Sequence, residues 1–309
     1  MSEHEIYDIL IIGGGPAGMT AALYAARAGK KPCIIDKTGF GGQITHSPKV
    51  ENFPGTMEMS GNDFANRMAE QLLALDVSVE MGNAAGIQQE GSYHAVRTEE
   101  GGLYRGRSVI IASGAKHRTL GITGEEEWTG NGIYYCAVCD GPLFKDKSVI
   151  LVGGGNSALQ EGIHLSDICR DITMVQNLPD YTGEIKLRET VSTKPNVRAV
   201  FGTVVKDFIV NKGRLEGLRL LESGTGKETD LKCDGVFVAI GLVPENEAFA
   251  GAAELDQDGY ITSGENCLTR TAGVFAAGDC RVKNVRQLTT AVSDGAIAAL
   301  AACRYVDQL

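Results

Sequence analysis

Ile9-Leu10-Ile11-Ile12-Gly13-Gly14-Gly15-Pro16-Ala17-Gly18 is the stretch from which the fold of this chain is read. Four consecutive apolar residues make a strand buried on both faces, of the kind found in parallel sheets. The glycines turn the chain tightly, and Met19 to Ala28 reads as a helix. Pro32 to Asp36 is the next strand, which completes a βαβ unit. The pattern returns 140 residues later. Val149-Ile150-Leu151-Val152 runs into Gly153-Gly154-Gly155-Asn156-Ser157-Ala158, a helix over Leu159 to Ile168 and a strand over Ile172 to Gln176. Two such units predict two dinucleotide-binding domains.

The remaining chain arranges itself around this repeat. Val109 to Ala115 and Val236 to Gly241 are apolar strands that end in small residues, one in each half. Val274 to Asp279 is a third, and Thr289 to Tyr305 is an Ala-rich helix with no second sheet of its own to join. That last segment is expected to return to the first domain. The stretches Ser78–Tyr104 and Arg198–Lys232 alternate apolar and polar residues between glycines and read as small antiparallel sheets. The predicted class is α/β, with two Rossmann-like three-layer domains, the second inserted into the first, each with a small antiparallel sheet. The expected division is 1–115 plus 247–309 against 116–246.

Composition narrows the function. The chain has 309 residues and a formal charge of −10, so it lacks the basic stripe that a nucleic acid requires. No run of about 18 apolar residues marks a membrane span. The N-terminus carries Glu3, Glu5 and Asp8 and has no basic leader, which predicts a cytoplasmic protein. Of eight cysteines, six are scattered singly, and Cys136 and Cys139 form a C-x-x-C. In a reducing compartment that pair is redox-active or metal-binding. Zinc needs four ligands, and the five histidines (His4, His46, His94, His117, His164) are too dispersed to complete a set, so no metal is expected. A dithiol remains, with Asp140 directly after the second sulfur as a candidate proton donor.

In the first glycine loop, Gly13 allows the turn, Gly15 lets backbone approach a pyrophosphate, and Gly18 lets helix and strand pack closely. The helix N-terminus offers unpaired N–H groups to phosphates. Asp36, at the end of the second strand, is placed to bind ribose hydroxyls. An offset of 140 carries Asp36 onto Gln176, so the second loop has no acid there. Asn177, Leu178, Pro179, Asp180, Tyr181, Thr182 and Gly183 follow, without the cations that a 2′-phosphate demands. Lys186 and Arg188 read as helix-surface charges.

Across nearly its whole length the chain resembles the bacterial low-molecular-weight thioredoxin reductases, a flavin-dependent type of pyridine-nucleotide-disulfide oxidoreductase. The resemblance rests on Gly13–Gly18, Gly41-Gly42-Gln43, Glu51-Asn52-Phe53-Pro54-Gly55, Ala112-Ser113-Gly114-Ala115, Cys136–Gly141, Gly153–Ala158, and Gly278-Asp279 followed by Arg286-Gln287. It implies a homodimer that holds FAD and reduces thioredoxin or a thioredoxin-like protein. FAD would lie along Gly13, Gly15, Pro16, Ala17 and Gly18, with Asp36 at the ribose. Gly41, Gly42, Gln43 and Asn52 would approach the flavin and ribityl chain. Ala112 and Gly114 would belong to the same site. Gly278 and Asp279 would sit at the ribityl and pyrophosphate, with Arg286 and Gln287 near the isoalloxazine. By the same resemblance Cys139 meets the flavin, Cys136 attacks the partner's disulfide, and Asp140 donates the proton.

Two departures stand out. NADPH-using members of that family carry His-Arg-Arg at the positions of Gln176, Asn177 and Leu178 and an arginine at that of Thr182; all three arginines are absent here. Reduced ferredoxin, NADH or deazaflavin are the expected donors, with Arg281, Lys283 and Arg286 as a candidate basic patch for ferredoxin. Tyr134-Tyr135 stand where the family has small residues, either walling the flavin or a partner, or packing in a core. Two rival functions remain at this stage: an FAD-dependent dithiol oxidase passing electrons to oxygen, and a non-enzymatic flavin redox sensor.

Overall fold

A computed structural model of the chain describes residues 6–47 and 50–309. Glu3, His4 and Glu5 lie outside the described residues. The chain forms two compact units, Met1–Lys116 with Val243–Leu309, and His117–Leu242.

The first unit opens with β1 (Ile6–Ile12), α1 (Pro16–Arg27) and β2 (Pro32–Asp36). Helix α1 begins at Pro16, before the apolar periodicity sets in at Met19. Proline at the first turn has its φ already set and loses no hydrogen bond there. Helix α2 (Gly61–Leu73) starts on a capping box in which Ser60 and Asp63 exchange side-chain and backbone bonds. Strands β3 (Ser78–Met81), β4 (Ala84–Glu90), β5 (Tyr93–Thr98) and β6 (Leu103–Ile111) follow. The sheet order is β3-β2-β1-β6-β5-β4.

Strand β6 is long enough to serve two patterns. Arg105 to Ile111 runs parallel to β1, and Leu103 to Gly106 runs antiparallel to β5. The stretch 78–104 is therefore no separate sheet throughout. Ser78–Met81 lies parallel beside β2, and the antiparallel part continues the same seven-stranded sheet.

The chain crosses to the second unit through β7 (Ala115–His117). It continues with α3 (Glu125–Trp128), β8 (Ile133–Tyr134), α4 (Ala137–Asp140), β9 (Ser148–Val152), α5 (Asn156–Ser166) and β10 (Asp171–Val175). After α6 (Ile185–Ser192) come β11 (Val197–Val200), β12 (Thr203–Asn211), β13 (Arg214–Glu222), β14 (Glu228–Lys232) and β15 (Gly235–Val238). Five strands in the order β11-β10-β9-β15-β8 form a parallel sheet, and β12-β13-β14 form an antiparallel one. Val197–Val200, grouped by its alternation with the antiparallel stretch, is the parallel edge strand instead.

The return crossing is β16 (Leu242–Pro244), paired with β7. It lies slightly before the 246/247 boundary read from the sequence. The reason is Asn246, fully buried in the first unit, where it bonds Ser113 and the carbonyls of Gly259 and Cys280. Strand β17 (Val274–Ala276) then pairs parallel with β6, and α7 (Leu288–Asp307) packs along α1. Ala298, Ala299 and Ala302 are fully buried in that contact, and Gly295 meets the backbone of Ala17. The alanines let the two helices approach closely. Among the described residues, no helix is long and apolar enough to cross a membrane.

Candidate functional site

In the first unit, β1 delivers the chain into a turn that only glycine tolerates at Gly13, where φ is +110°. Gly15 is the N-cap of α1, and a side chain there would meet little but the Gly41 carbonyl at 4.0 Å. The first N–H groups of α1 thus face open space of the kind a pyrophosphate takes. Asp36 ends β2 and reaches back over this loop. Its Oδ2 accepts from the Gly14 N–H at 2.6 Å, and its Oδ1 accepts from Thr38 and Gly39 N–H at 2.7 and 2.8 Å. The residue assigned to a ribose is thus also the clamp that shapes the loop.

Gly41 donates to the Gly14 carbonyl, which brings Gly41-Gly42-Gln43 beside the glycine loop. Asn52 Nδ2 donates to Gln287 Oε1 at 3.1 Å, joining two more of the sequence-picked residues. Ala112 directly follows β6 and donates its N–H to the Ile12 carbonyl, while Gly114 leaves open space above its backbone. Gly278, by contrast, lies against Ala17. Asp279 follows it with a buried Oδ1 that no protein group satisfies, and burial raises its carboxyl despite Lys283 and Arg286 nearby. An orphaned acceptor beside an open helix N-terminus fits a polyhydroxyl chain ending in phosphates.

In the second unit, Cys136 and Cys139 are joined as a disulfide, with Cα atoms 5.3 Å apart. Cys136 caps α4, and its sulfur accepts from the Cys139 N–H at 3.2 Å. An N–H aimed at this sulfur favours its thiolate once the bond is reduced. Asp140 closes the turn. It is almost wholly buried, and desolvation pushes its carboxyl up to about 7. At that value an acid still holds its proton near neutrality and can give it to a departing sulfur.

A family profile for pyridine nucleotide-disulphide oxidoreductases matches residues 7–295. Thioredoxin reductase from Bacillus subtilis is 37% identical over 309 residues, covering all of this chain and 98% of that protein. A 34.2 kDa protein in the rubredoxin operon of Clostridium pasteurianum is 39% identical over 99% of both chains. The crystal structure of thioredoxin reductase from Streptococcus pyogenes superposes with a TM-score of 0.92 at 38% identity, covering 98% of this chain and 99% of that one.

The chain belongs to the low-molecular-weight thioredoxin reductase family. It has the α/β fold of that family, and it is a flavoprotein-type oxidoreductase with a C-x-x-C disulfide.

Within this family fold the second glycine loop repeats the first at the offset of 140. Gln176 reaches back over Gly154 as Asp36 does over Gly14, and a side chain on Gly154 would collide with its amide. Gln176 is buried, and its Oε1 is already taken by the Asn177 N–H. Thr182 and Gly183 donate to the Gly154 carbonyl, and Asn156 bonds Glu184. Of the two later cations, Arg188 is paired with Asp180, and Lys186 is exposed.

One reading from the sequence needs correction. Arg281 and Lys283 are not a surface patch. Both are buried against Asp294, Arg281 through two bonds of 2.8 Å and Lys283 through one of 2.8 Å. A helix that is otherwise Ala-rich carries one acid at its buried face, and that acid draws both cations inward. Arg286 lies over the Tyr260 ring at 4.1 Å and donates to the Asp279 and Arg281 carbonyls. Of the two alternatives for the tyrosine pair, packing is what the structure shows: both are half-buried, Tyr134 against Phe144 and Phe237, while Tyr135 stacks on His117 and donates to Glu125 at 2.7 Å.

Asp294, which the sequence reading passed over, also accepts from the Gly278 N–H at 3.0 Å and so holds the turn before Asp279. Burial alone would raise its carboxyl, but Arg281 and Lys283 outweigh that and hold it low. Asp294→Asn strands two buried cations and is expected to cost about 3–5 kcal/mol, read as a lower urea midpoint. A depressed carboxyl stabilises fully above the ordinary Asp value of about 4 and loses that contribution as pH falls through its lower folded value. The wild type should therefore lose this increment only in acid, and the variant should lack it at every pH.

Proposed function

We propose that this chain is an FAD-dependent disulfide reductase that passes electron pairs through Cys136 and Cys139 to thioredoxin or a thioredoxin-like protein, and that its donor is not NADPH. The observation that carries the reading is the Cys136–Cys139 disulfide, seated at the start of a short helix with a buried acid directly after it, in a chain matched end to end by thioredoxin reductases. The residues around α1 suit FAD, with Gly15 and the α1 N-terminus toward its phosphates and Asp279 toward its hydroxyls. When bound, FAD supplies a carrier that exchanges electrons in pairs.

In the dithiol form, the Cys136 thiolate attacks one sulfur of the partner's disulfide. The bond between the partner's sulfurs breaks, and a mixed disulfide through Cys136 forms. The departing sulfur takes a proton from the protein, for which Asp140 is the placed acid. Cys139 then attacks Cys136, re-forms the internal disulfide and releases the second partner sulfur as a thiol. Two electrons leave the pair, and the partner gains them with two protons.

The donor proposal rests on the surroundings of the second loop. Gln176 through Gly183 contains no cation, and the nearest arginine is spent on Asp180. A 2′-phosphate dianion would find no cation within that stretch. Reduced ferredoxin, NADH and deazaflavin remain the donor classes, and ferredoxin no longer has the Arg281–Lys283 patch in its favour. Anaerobic bleaching of the bound flavin by NADPH, NADH and reduced ferredoxin in turn decides the matter. NADPH is expected to be the slow reagent; rapid bleaching by NADPH alone would overturn the donor assignment and leave the disulfide chemistry standing.

A further inference from the structure

Five side-chain polar atoms among the described residues are sealed from solvent with no hydrogen-bond partner, and three of them belong to α4, the helix of the redox disulfide, and to α5, which packs on it. They are Oδ1 of Asp140, Oε2 of Glu161 and Nε2 of His164. Buried groups of this kind are normally satisfied, so a cluster of three needs a cause. Helix α4 packs on α5, which carries Glu161 and His164 one turn apart on one face. The Ala137 N–H, in the first turn of α4, faces the Glu161 carboxyl, and a methyl on Gly141 would stand 3.9 Å from His164 Nε2.

We propose that Glu161 is a positioning residue for the redox turn: it holds a proton of its own beside protonated Asp140 and hands that proton to Asp140 once the disulfide is reduced. Two carboxyls held in one dry pocket cannot both ionise at ordinary pH, so together they retain a proton that either alone would release sooner. Burial raises both groups, Asp140 to about 7 and Glu161 to about 8, and the charge of Asp140 adds to the rise at Glu161. The other titratable groups facing the pocket are His164 from α5, Tyr134 from β8 and the two cysteines; Tyr134, raised first by its own burial, also feels Asp140.

The role deepens the disulfide-reductase reading and rests on it. A two-electron reductant, supplied in the test as a small dithiol, breaks the S–S bond and leaves a negative charge on each sulfur. Asp140 gives its proton to one of them, and one thiol and one thiolate result. Asp140, now a carboxylate, takes the proton from Glu161 Oε2. The charge ends on Glu161, where the Ala137 N–H faces it.

The test uses the intact flavoprotein and its Glu161→Gln, Glu161→Asp and Asp140→Asn variants. Each is reduced with a chemical dithiol and then mixed with a small aromatic disulfide across a range of pH. Glutamine keeps an oxygen for the Ala137 N–H but cannot hold an ionisable proton. Glu161→Gln is therefore expected to lower the upper pKa of the exchange profile by about one unit, the size of a strong carboxyl coupling. Glu161→Asp should bring the profile most of the way back. Infrared difference spectra of the oxidised and reduced protein should show loss of a protonated-carboxyl band on reduction, absent in Asp140→Asn. Identical profiles for wild type and Glu161→Gln would overturn the proposal and leave Glu161 as a plain hydrogen-bond acceptor; so would an equal loss of the band on reduction in Asp140→Asn. Neither measurement uses thioredoxin or the natural donor. Failure of the wild type to reduce any thioredoxin would thus sink the functional reading and leave this one intact.

Discussion

Cys136→Ser should retain its flavin and lose at least about 10³-fold in reduction of a thioredoxin-like disulfide, the scale expected when an attacking nucleophile is removed. The two halves of that result come from different parts of the chain. The residues suited to FAD belong to the first unit, with its own core of β1, β2, β6, α1 and α7. Cys136 belongs to the second unit, and its side chain contributes nothing to that core. A serine oxygen at Cys136 cannot form the mixed disulfide, whatever electrons reach the turn.

Cys139→Ser makes the complementary case. It keeps the attacking sulfur and removes the resolving one, so the partner should accumulate as a covalent adduct through Cys136. Non-reducing electrophoresis after mixing with an oxidised thioredoxin reads this directly. Full turnover by Cys136→Ser, or an adduct that forms through Cys139 in its place, would reverse the assignment of the two sulfurs.

What could be read from residues alone, and what could not, follows a physical line. The repeat at 140 was visible because a strand buried on both faces must be apolar throughout and a dinucleotide turn must be glycine. Both demands are local, and the correspondence extends as far as Asp36 over Gly14 and Gln176 over Gly154. The C-x-x-C was legible for the same reason. The errors arose where a residue's state depends on a partner far along the chain. Arg281 and Lys283 look like surface charges until Asp294, on a helix that begins several residues later, is found buried beside them. Ser78–Met81 alternates like a strand of a small antiparallel sheet, yet it is recruited as the parallel edge neighbour of β2. Glu161 and His164 sit on α5, and nothing local in the sequence marks them. It is the packing of α4 on α5 that accompanies the burial of their polar ends. Asn246 carried no signal at all, since a buried amide that ties three loops together has no local pattern.

Gly18→Ala is expected to yield a protein that folds but binds FAD at least about 10²-fold more weakly, the loss that follows from displacing a phosphate-binding helix end. Gly18 lies in the first turn of α1 directly beneath the Gly13 carbonyl. A methyl built there falls inside the van der Waals radius of that oxygen and reaches the Gly13 carbonyl carbon at 3.0 Å and Ile11 Cγ2 at 3.3 Å. None of these neighbours can yield by rotating a flexible end, because two are backbone and the third is a fully buried strand residue. The helix must therefore tilt or slide away from β1, at an overpacking cost of about 1–3 kcal/mol. What moves is the part of α1 whose free N–H groups converge on the open space over Gly15. Gly251→Ala, in the same unit with nothing within 4 Å of the added methyl, is the matched control and should bind FAD as the wild type does. The ratio of flavin to protein absorbance on purification gives the first answer, and titration of the apoprotein with FAD gives the affinity. Stoichiometric flavin at unaltered affinity in Gly18→Ala would mean that the phosphates of FAD do not rest on this helix end, and the placement of the cofactor along Gly13–Gly18 would have to be abandoned.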